Sequence, residues 1–138
     1  MTIFSYRKAV PADIEEIIAI RLTSTDPSTE KNIQQSYQLY IEKYGEGIVC
    51  LQENQIIGFA IVSIKESGLY SLYVKPNFQR LGIGKNLLKK AEAILKQAGA
   101  EQIFLAVNKN NDALNFYQKY GWKVKSHRNW VTLHKKTG

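Results

Sequence analysis

The run Leu69-Tyr70-Ser71-Leu72-Tyr73-Val74-Lys75-Pro76-Asn77-Phe78-Gln79-Arg80-Leu81-Gly82-Ile83-Gly84-Lys85 decides how this chain reads. Leu69 to Lys75 is dominated by aromatic, branched and bulky residues and lies between Gly68 and Pro76, the composition of a short, well-buried strand. A basic glycine loop follows and runs into a long amphipathic helix. The first turn of a helix leaves amide N–H groups without partners and carries a partial positive charge, so a phosphate placed there satisfies donors and field together. Gly82 and Gly84 have no Cβ, which lets a diphosphate come against the main chain. Arg80 and Lys85 oppose the helix dipole, a local conflict expected where an anion binds. Taken singly, each is an ordinary solvated charge; the glycines and the preceding strand give the pair its meaning.

Two other glycine loops are excluded by their own spacing. A P-loop requires glycine, four residues, then Gly-Lys and a hydroxyl residue; here Gln79 stands at the first glycine and Asn86 follows Gly84-Lys85. The dinucleotide fingerprint fails because Leu87 occupies its third glycine position.

Composition narrows the rest. A chain of 138 residues has the length of one domain, expected to cover 1–138. With 44% hydrophobic and 22% charged residues it reads as a soluble globular protein, and no apolar run approaches the roughly 20 residues of a membrane span. The first residues lack the apolar segment of a secretory signal, so a cytoplasmic location and no membrane partner are expected. Cys50 is alone and falls in a strand-like stretch, as a small buried hydrophobe would. The net charge of +7 calls for an anionic partner without naming it. There is no arginine-rich run, repeat or recognised nucleic-acid module, so nucleic acid is not expected. His127 and His134 have no ligand spacing, and no metal is expected.

Outward from the loop, periodicity places the other elements. Ile3 to Lys8 alternates as a strand, and Pro11 and Asp13 open a helix to about Thr23. Asp26-Pro27 breaks it, and a second helix from about Thr29 to Tyr44 ends at Gly45 and Gly47. Ile48 to Gln52 and Ile56 to Lys65 form a hairpin through Glu53-Asn54, and Ser67-Gly68 turns into the strand before the loop. Leu87, Leu88, Ala91, Ile94, Leu95 and Ala98 mark a helix from Ile83 to Ala98, stopped at Gly99. Ile103 to Val107 is a continuous apolar run, expected to be a strand buried on both faces and parallel to the first across a right-handed crossover. Asn108 to Asn111 precedes a helix over Asp112 to Tyr120, and Trp122 to Lys135 holds two strands around Arg128-Asn129. The class is α+β or mixed α/β: a mixed, mostly antiparallel sheet of six to seven strands flanked by about four helices.

Gln79-Arg80-Leu81-Gly82-Ile83-Gly84 resembles the coenzyme A pyrophosphate loop of the GNAT acyltransferase superfamily: Gln or Arg, two residues, Gly, one residue, Gly or Ala. A second segment, Asn108, Asn111, Ala113, Phe116-Tyr117 and Gly121-Trp122, is similar to another signature of that family, and the element order matches nearly end to end. The resemblance implies an N-acetyltransferase that uses acetyl-CoA, without a metal, to acetylate a primary amine by direct attack in a ternary complex. It assigns the main chain of Leu72, Tyr73 and Val74 to the pantetheine arm, and Gln79, Arg80, Leu81, Gly82, Ile83, Gly84 and Lys85 to the diphosphate. Asn108 or Asn111 contacts the arm from the other side; for Asn111, helix capping is an equal reading. Tyr117 becomes the general acid toward the leaving thiolate, although at its helical spacing from Ala113 and Tyr120 it could merely pack. Glu66 stands where some members carry a catalytic glutamate and also reads as a plain turn residue. No acidic residue lies in Leu69 to Lys75, unlike members that have one there. The acceptor is a small molecule, peptide or protein amine, the protein a monomer or homodimer, and the alternative is a non-catalytic CoA-binding sensor or regulatory module.

Overall fold

The structure, a computed structural model, describes residues 3–23, 32–108, 113–127 and 130–138, apart from the side chains of residues 108, 126, 127 and 130. Seven strands form one sheet: β1 (Ser5–Lys8), β2 (Gly45–Gln52), β3 (Gln55–Ser63), β4 (Gly68–Val74), β5 (Gln102–Asn108), β6 (Lys123–His127) and β7 (Trp130–Lys136). Among the described residues four α-helices accompany them: α1 (Ile14–Leu22), α2 (Ile33–Leu39), α3 (Ile83–Gln97) and α4 (Ala113–Lys119). The spatial order is β1-β2-β3-β4-β5-β7-β6, with only β4 and β5 parallel. β7 lies between β5 and β6, so the last hairpin returns its second strand to the sheet.

Two apolar layers sandwich this sheet. On one side α3 and α4 bury Leu87, Leu88, Ala91, Leu95 and Tyr117 against Cys50, Ala60, Leu69, Ile103, Leu105 and Leu133. On the other, α1 and α2 bury Ile17, Ile20 and Tyr37 against Val49, Phe59 and Ile61. The second layer stops at β4, and this corrects the reading of β5. Ile103, Leu105 and Val107 are buried, but Phe104 is half-buried and Ala106 exposed, because no helix among the described residues covers that end of the second face.

The end of the second helix also differs from expectation. Five residues, Tyr40–Tyr44, form a π-type turn, and β2 begins directly at Gly45. Gly45 is not a helix cap: its backbone is extended, and a Cβ there would lie 1.7 Å from the Val62 carbonyl oxygen across the hairpin. The glycine is required by strand proximity. Glu53 and Asn54, with φ of 50° and 66°, make the tight β2–β3 turn that their sequence suggests. Thr29 and the Arg128-Asn129 turn lie outside the described residues.

Candidate active site

β4 positions the site, and it does so by departing from regular pairing. Its register with β3 runs Ile61↔Ser71 and then Val62↔Leu69, which leaves Tyr70 as an extra residue. This bulge turns Tyr70 and Ser71 to the same face: the Tyr37 hydroxyl lies 2.7 Å from Ser71 Oγ, and the Tyr37 and Tyr70 rings are 5.9 Å apart. A bulged strand bends and twists, and β4 leaves its parallel neighbour. The two strands are in register only at Gly68↔Phe104, where a Cβ on Gly68 would stand 3.0 Å from the Phe104 carbonyl. Beyond that point a wedge opens between them. β4 is consequently half-buried rather than well buried; only Leu69 and Ser71 are closed off from solvent.

Main-chain direction follows from the pairing. The Lys75 amide donates to the Ile57 carbonyl at 2.8 Å, so Lys75 and, two residues back, Tyr73 aim their polar groups at β3. Leu72 and Val74, between them in phase, aim theirs at the wedge. This refines the three-residue assignment: the Tyr73 main chain is engaged with β3, while those of Leu72 and Val74 face the gap.

The loop stands at the wide end of that gap. Pro76–Phe78 makes a single 3-10 turn, and the Gln79 side-chain amide donates to the Val74 carbonyl at 3.3 Å, tying loop to strand. Arg80 and Gly82 both have left-handed backbones, with φ of 65° and 85°. For Arg80 this conformation costs roughly 1–2 kcal/mol, a strain of the kind that collects at binding sites. Gly82 is the residue before α3; no side chain caps the helix and no acidic residue lies in its first turn. A Cβ on Gly82 would meet no protein atom within 4 Å, whereas one on Gly84 would lie 3.5 Å from Phe116 Cζ and 3.9 Å from Val74 Cγ2. Phe116 therefore packs α4 against the head of α3 and the end of β4. The ion pairs among the described residues are Arg7–Asp13, Lys8–Glu46 and Lys135–Glu92, so neither Arg80 nor Lys85 is neutralised by a carboxylate within that set. Lys85 and Lys119 instead stand 6.0 and 5.6 Å from the centre of the Tyr120 ring. An uncapped helix head, two unneutralised cations and open space above Gly82 fit a diphosphate.

Tyr117 comes from α4 and is 6% exposed. Burial pushes its phenol well above the ordinary tyrosine range. Among the described residues the Tyr117 hydroxyl has no hydrogen-bond partner. Its ring packs edge-on to Phe116 at 5.2 Å and to Trp122 at 6.1 Å. Glu66 is exposed in the β3–β4 turn, at the closed end of the wedge. Its carboxylate accepts from the Tyr40 hydroxyl at 3.2 Å, and its amide donates to Ser63 Oγ at 3.1 Å. Asn108 ends β5, its main chain facing Trp130 in the sheet register, and Asn111 lies outside the described residues. No cluster of three potential metal ligands occurs among the described residues.

A family model for the acetyltransferase (GNAT) domain matches residues 20–132. The chain belongs to the GNAT acetyltransferase family. It is 38% identical over 74 residues to the [ribosomal protein bS18]-alanine N-acetyltransferase of Haemophilus influenzae, a match covering 52% of this chain and 51% of that protein. It is 37% identical over 75 residues to the spermidine N(1)-acetyltransferase of Thermoplasma acidophilum, covering 52% and 47% respectively. The chain thus spans about half the length of the curated relatives it matches. In fold it is similar to the PaiA N-acetyltransferase of Thermoplasma acidophilum, solved in complex with coenzyme A, with a TM-score of 0.78 at 23% identity over 97% of this chain and 99% of that one. Within this GNAT domain, no helix among the described residues is long and apolar enough to cross a membrane.

The sequence reading missed the Tyr70 bulge and the residues that hold α4 in place. Two adjacent large residues, Leu69-Tyr70, followed across Ser71 by another such pair, Leu72-Tyr73, break strict alternation, and that break was the available signal.

Proposed function

We propose that this chain is an N-acetyltransferase that moves the acetyl group of acetyl-CoA to a primary amine by direct attack in a ternary complex. The observation that carries this reading is the parting of β4 from β5 directly above a basic, uncapped helix head. Acetyl-CoA, when bound, supplies an activated thioester. The amides of Arg80 to Lys85 and the two cations hold its diphosphate. Main-chain groups of Leu72 and Val74, facing the wedge, hydrogen-bond the pantetheine arm as an added strand would, with Asn108 or Asn111 opposite. One of these β4 amides, aimed at the carbonyl oxygen, stabilises the charge that develops there.

Tyr117 is assigned the role of proton donor to the departing thiolate. Burial keeps its phenol protonated, so it has a proton to donate. Glu66 is assigned the proton of the acceptor ammonium, directly or through water, from its exposed place beside Tyr40. The relatives act on a protein alanine and on spermidine by name, which supports an amine acceptor in general terms.

The test is thiol release measured over a panel of amines, with cofactor binding measured separately. Tyr117→Phe is expected to lower kcat by about 100-fold, within the range of a lost general acid, while CoA affinity stays within about twofold. Equal loss of turnover and affinity would contradict the assignment. Tight CoA binding with no thiol release from any amine would replace the enzyme reading with a sensor.

A further inference from the structure

Glu92 lies on α3, and its two carboxylate oxygens are divided between different parts of the fold. Oε2 accepts from Trp122 Nε1 at 3.0 Å, and Oε1 accepts from Lys135 Nζ at 2.9 Å. The same ammonium donates to the main-chain carbonyl of Tyr120 at 2.8 Å. One carboxylate therefore joins α3, β7 and the segment that closes α4. The Glu92 and Lys135 side chains are 19% and 27% exposed, so solvent screens this pair less than a surface one.

The segment it grips is the one that places Tyr117. α4 has seven residues, too few to hold a helix by local bonds alone. Its end is a Schellman motif: the Trp122 amide donates to the Tyr117 carbonyl at 3.1 Å, the Gly121 amide donates to the Gln118 carbonyl at 3.2 Å, and Gly121 has a φ of 94°. The apolar contact that accompanies this motif is the Trp122 ring against the Tyr117 ring, 6.1 Å apart. Trp122 thus meets Tyr117 through both main chain and ring, and Glu92 holds Trp122 by its indole N–H. Lys135 also backs the turn, standing 3.5 Å from where a Gly121 Cβ would be.

We propose that Glu92 is a positioning residue for Tyr117: through Trp122 and Lys135 it sets where the phenol hydroxyl stands, without touching substrate. This rests on the assignment of Tyr117 as proton donor. A purely structural Glu92 would lower stability and leave catalysis by the folded protein intact, whichever residue occupied position 117.

The test compares kcat and the acetyl-CoA KM of the wild type, Glu92→Leu, Glu92→Gln, Tyr117→Phe and the Glu92→Leu/Tyr117→Phe double variant. Glu92→Leu is expected to lower kcat about tenfold with KM within about twofold, the signature of a displaced catalytic group. Glu92→Gln, which keeps an acceptor for the indole, recovers most of that loss. In the Tyr117→Phe background Glu92→Leu lowers kcat no further. The same loss in both backgrounds overturns the proposal. If Glu92→Leu does not fold, Trp122→Phe, which keeps a ring and removes the indole N–H, takes its place. An activity-independent arm uses protein labelled with 3-fluorotyrosine, the Tyr117 resonance being identified by its loss in Tyr117→Phe. Glu92→Leu is expected to shift the Tyr117 and Tyr120 resonances and leave those of the other tyrosines in place; an unmoved Tyr117 resonance overturns the proposal. A wild type that releases no thiol while its Tyr117 resonance still answers to Glu92 would end the acetyltransfer reading alone.

Discussion

Gly82 and Gly84 look equivalent in the loop but should respond oppositely to the same methyl group. Gly82 has a left-handed backbone with φ of 85°, and an added Cβ would meet no protein atom within 4 Å. Gly82→Ala should therefore lose about 1–2 kcal/mol from the left-handed conformation alone, with no steric clash in the free protein. Gly84 lies in the first turn of α3, and its Cβ would sit 3.5 to 3.6 Å from Phe116, ordinary van der Waals contact. Gly84→Ala should instead gain about 0.5–1 kcal/mol of helix propensity. For a chain of this size about 1 kcal/mol corresponds to about 3 °C in Tm, so melting of the free proteins should move down for Gly82→Ala and up for Gly84→Ala. Cofactor binding separates them again. The space above Gly82 is the proposed seat of the diphosphate, so Gly82→Ala should weaken CoA binding at least about tenfold by calorimetry, a loss of about 1.4 kcal/mol. Gly84→Ala should keep affinity within about threefold, whereas Gly84→Val, whose methyls reach the Phe116 ring, should not. Unchanged CoA affinity in Gly82→Ala, with its Tm lowered as expected, would show that Gly82 shapes the turn and not the cradle.

Other measurements bear on the fold and the chemistry. Asp13 is buried and accepts from Arg7 Nη1 and Nη2, at 2.7 and 3.0 Å, and from the Val10 amide at 2.9 Å; the Arg7 hydrogen bonds are the main cause holding its carboxyl below the usual range. A depressed folded-state value contributes stability that is full above the unfolded aspartate pKa of about 3.9 and is lost as pH falls through the lower folded value. Acid titration of unfolding should accordingly be shallower in Asp13→Asn, and an identical profile would remove Asp13 as a contributor. Gly45→Ala, with its Cβ 1.7 Å from the Val62 carbonyl, should cost more than about 4 kcal/mol and yield little soluble protein; a normal melting curve would contradict the strand contact. Because burial raises the Tyr117 phenol, turnover should show no alkaline decline from this residue up to about pH 10, and a limb near pH 8 that vanishes in Tyr117→Phe would oppose that.

Much of this architecture is written locally. The α3 stripe of Leu87, Leu88, Ala91 and Leu95 is buried as its spacing demands, and Gly99, with φ of 99°, ends that helix. The loop residues Gln79 to Lys85 fall at the head of α3, because glycine, strand and helix periodicity act within a few residues of one another. Placement across the sheet was less accessible. β5 reads as apolar throughout, yet only one of its faces is covered, since coverage depends on where α1 and α2 end in space.

Sequence alone placed a basic glycine turn at a helix head, and a second segment in which Tyr117 stands four residues before Gly121-Trp122. These are consequences of backbone freedom and local periodicity, which need no knowledge of distant residues. Tertiary structure decided the Tyr70 bulge, the wedge that opens beyond Gly68 and Phe104, and the grip of Glu92 on Trp122, 30 residues away. Each of these is a contact between parts far apart in the chain, formed only once two apolar faces have chosen their partners.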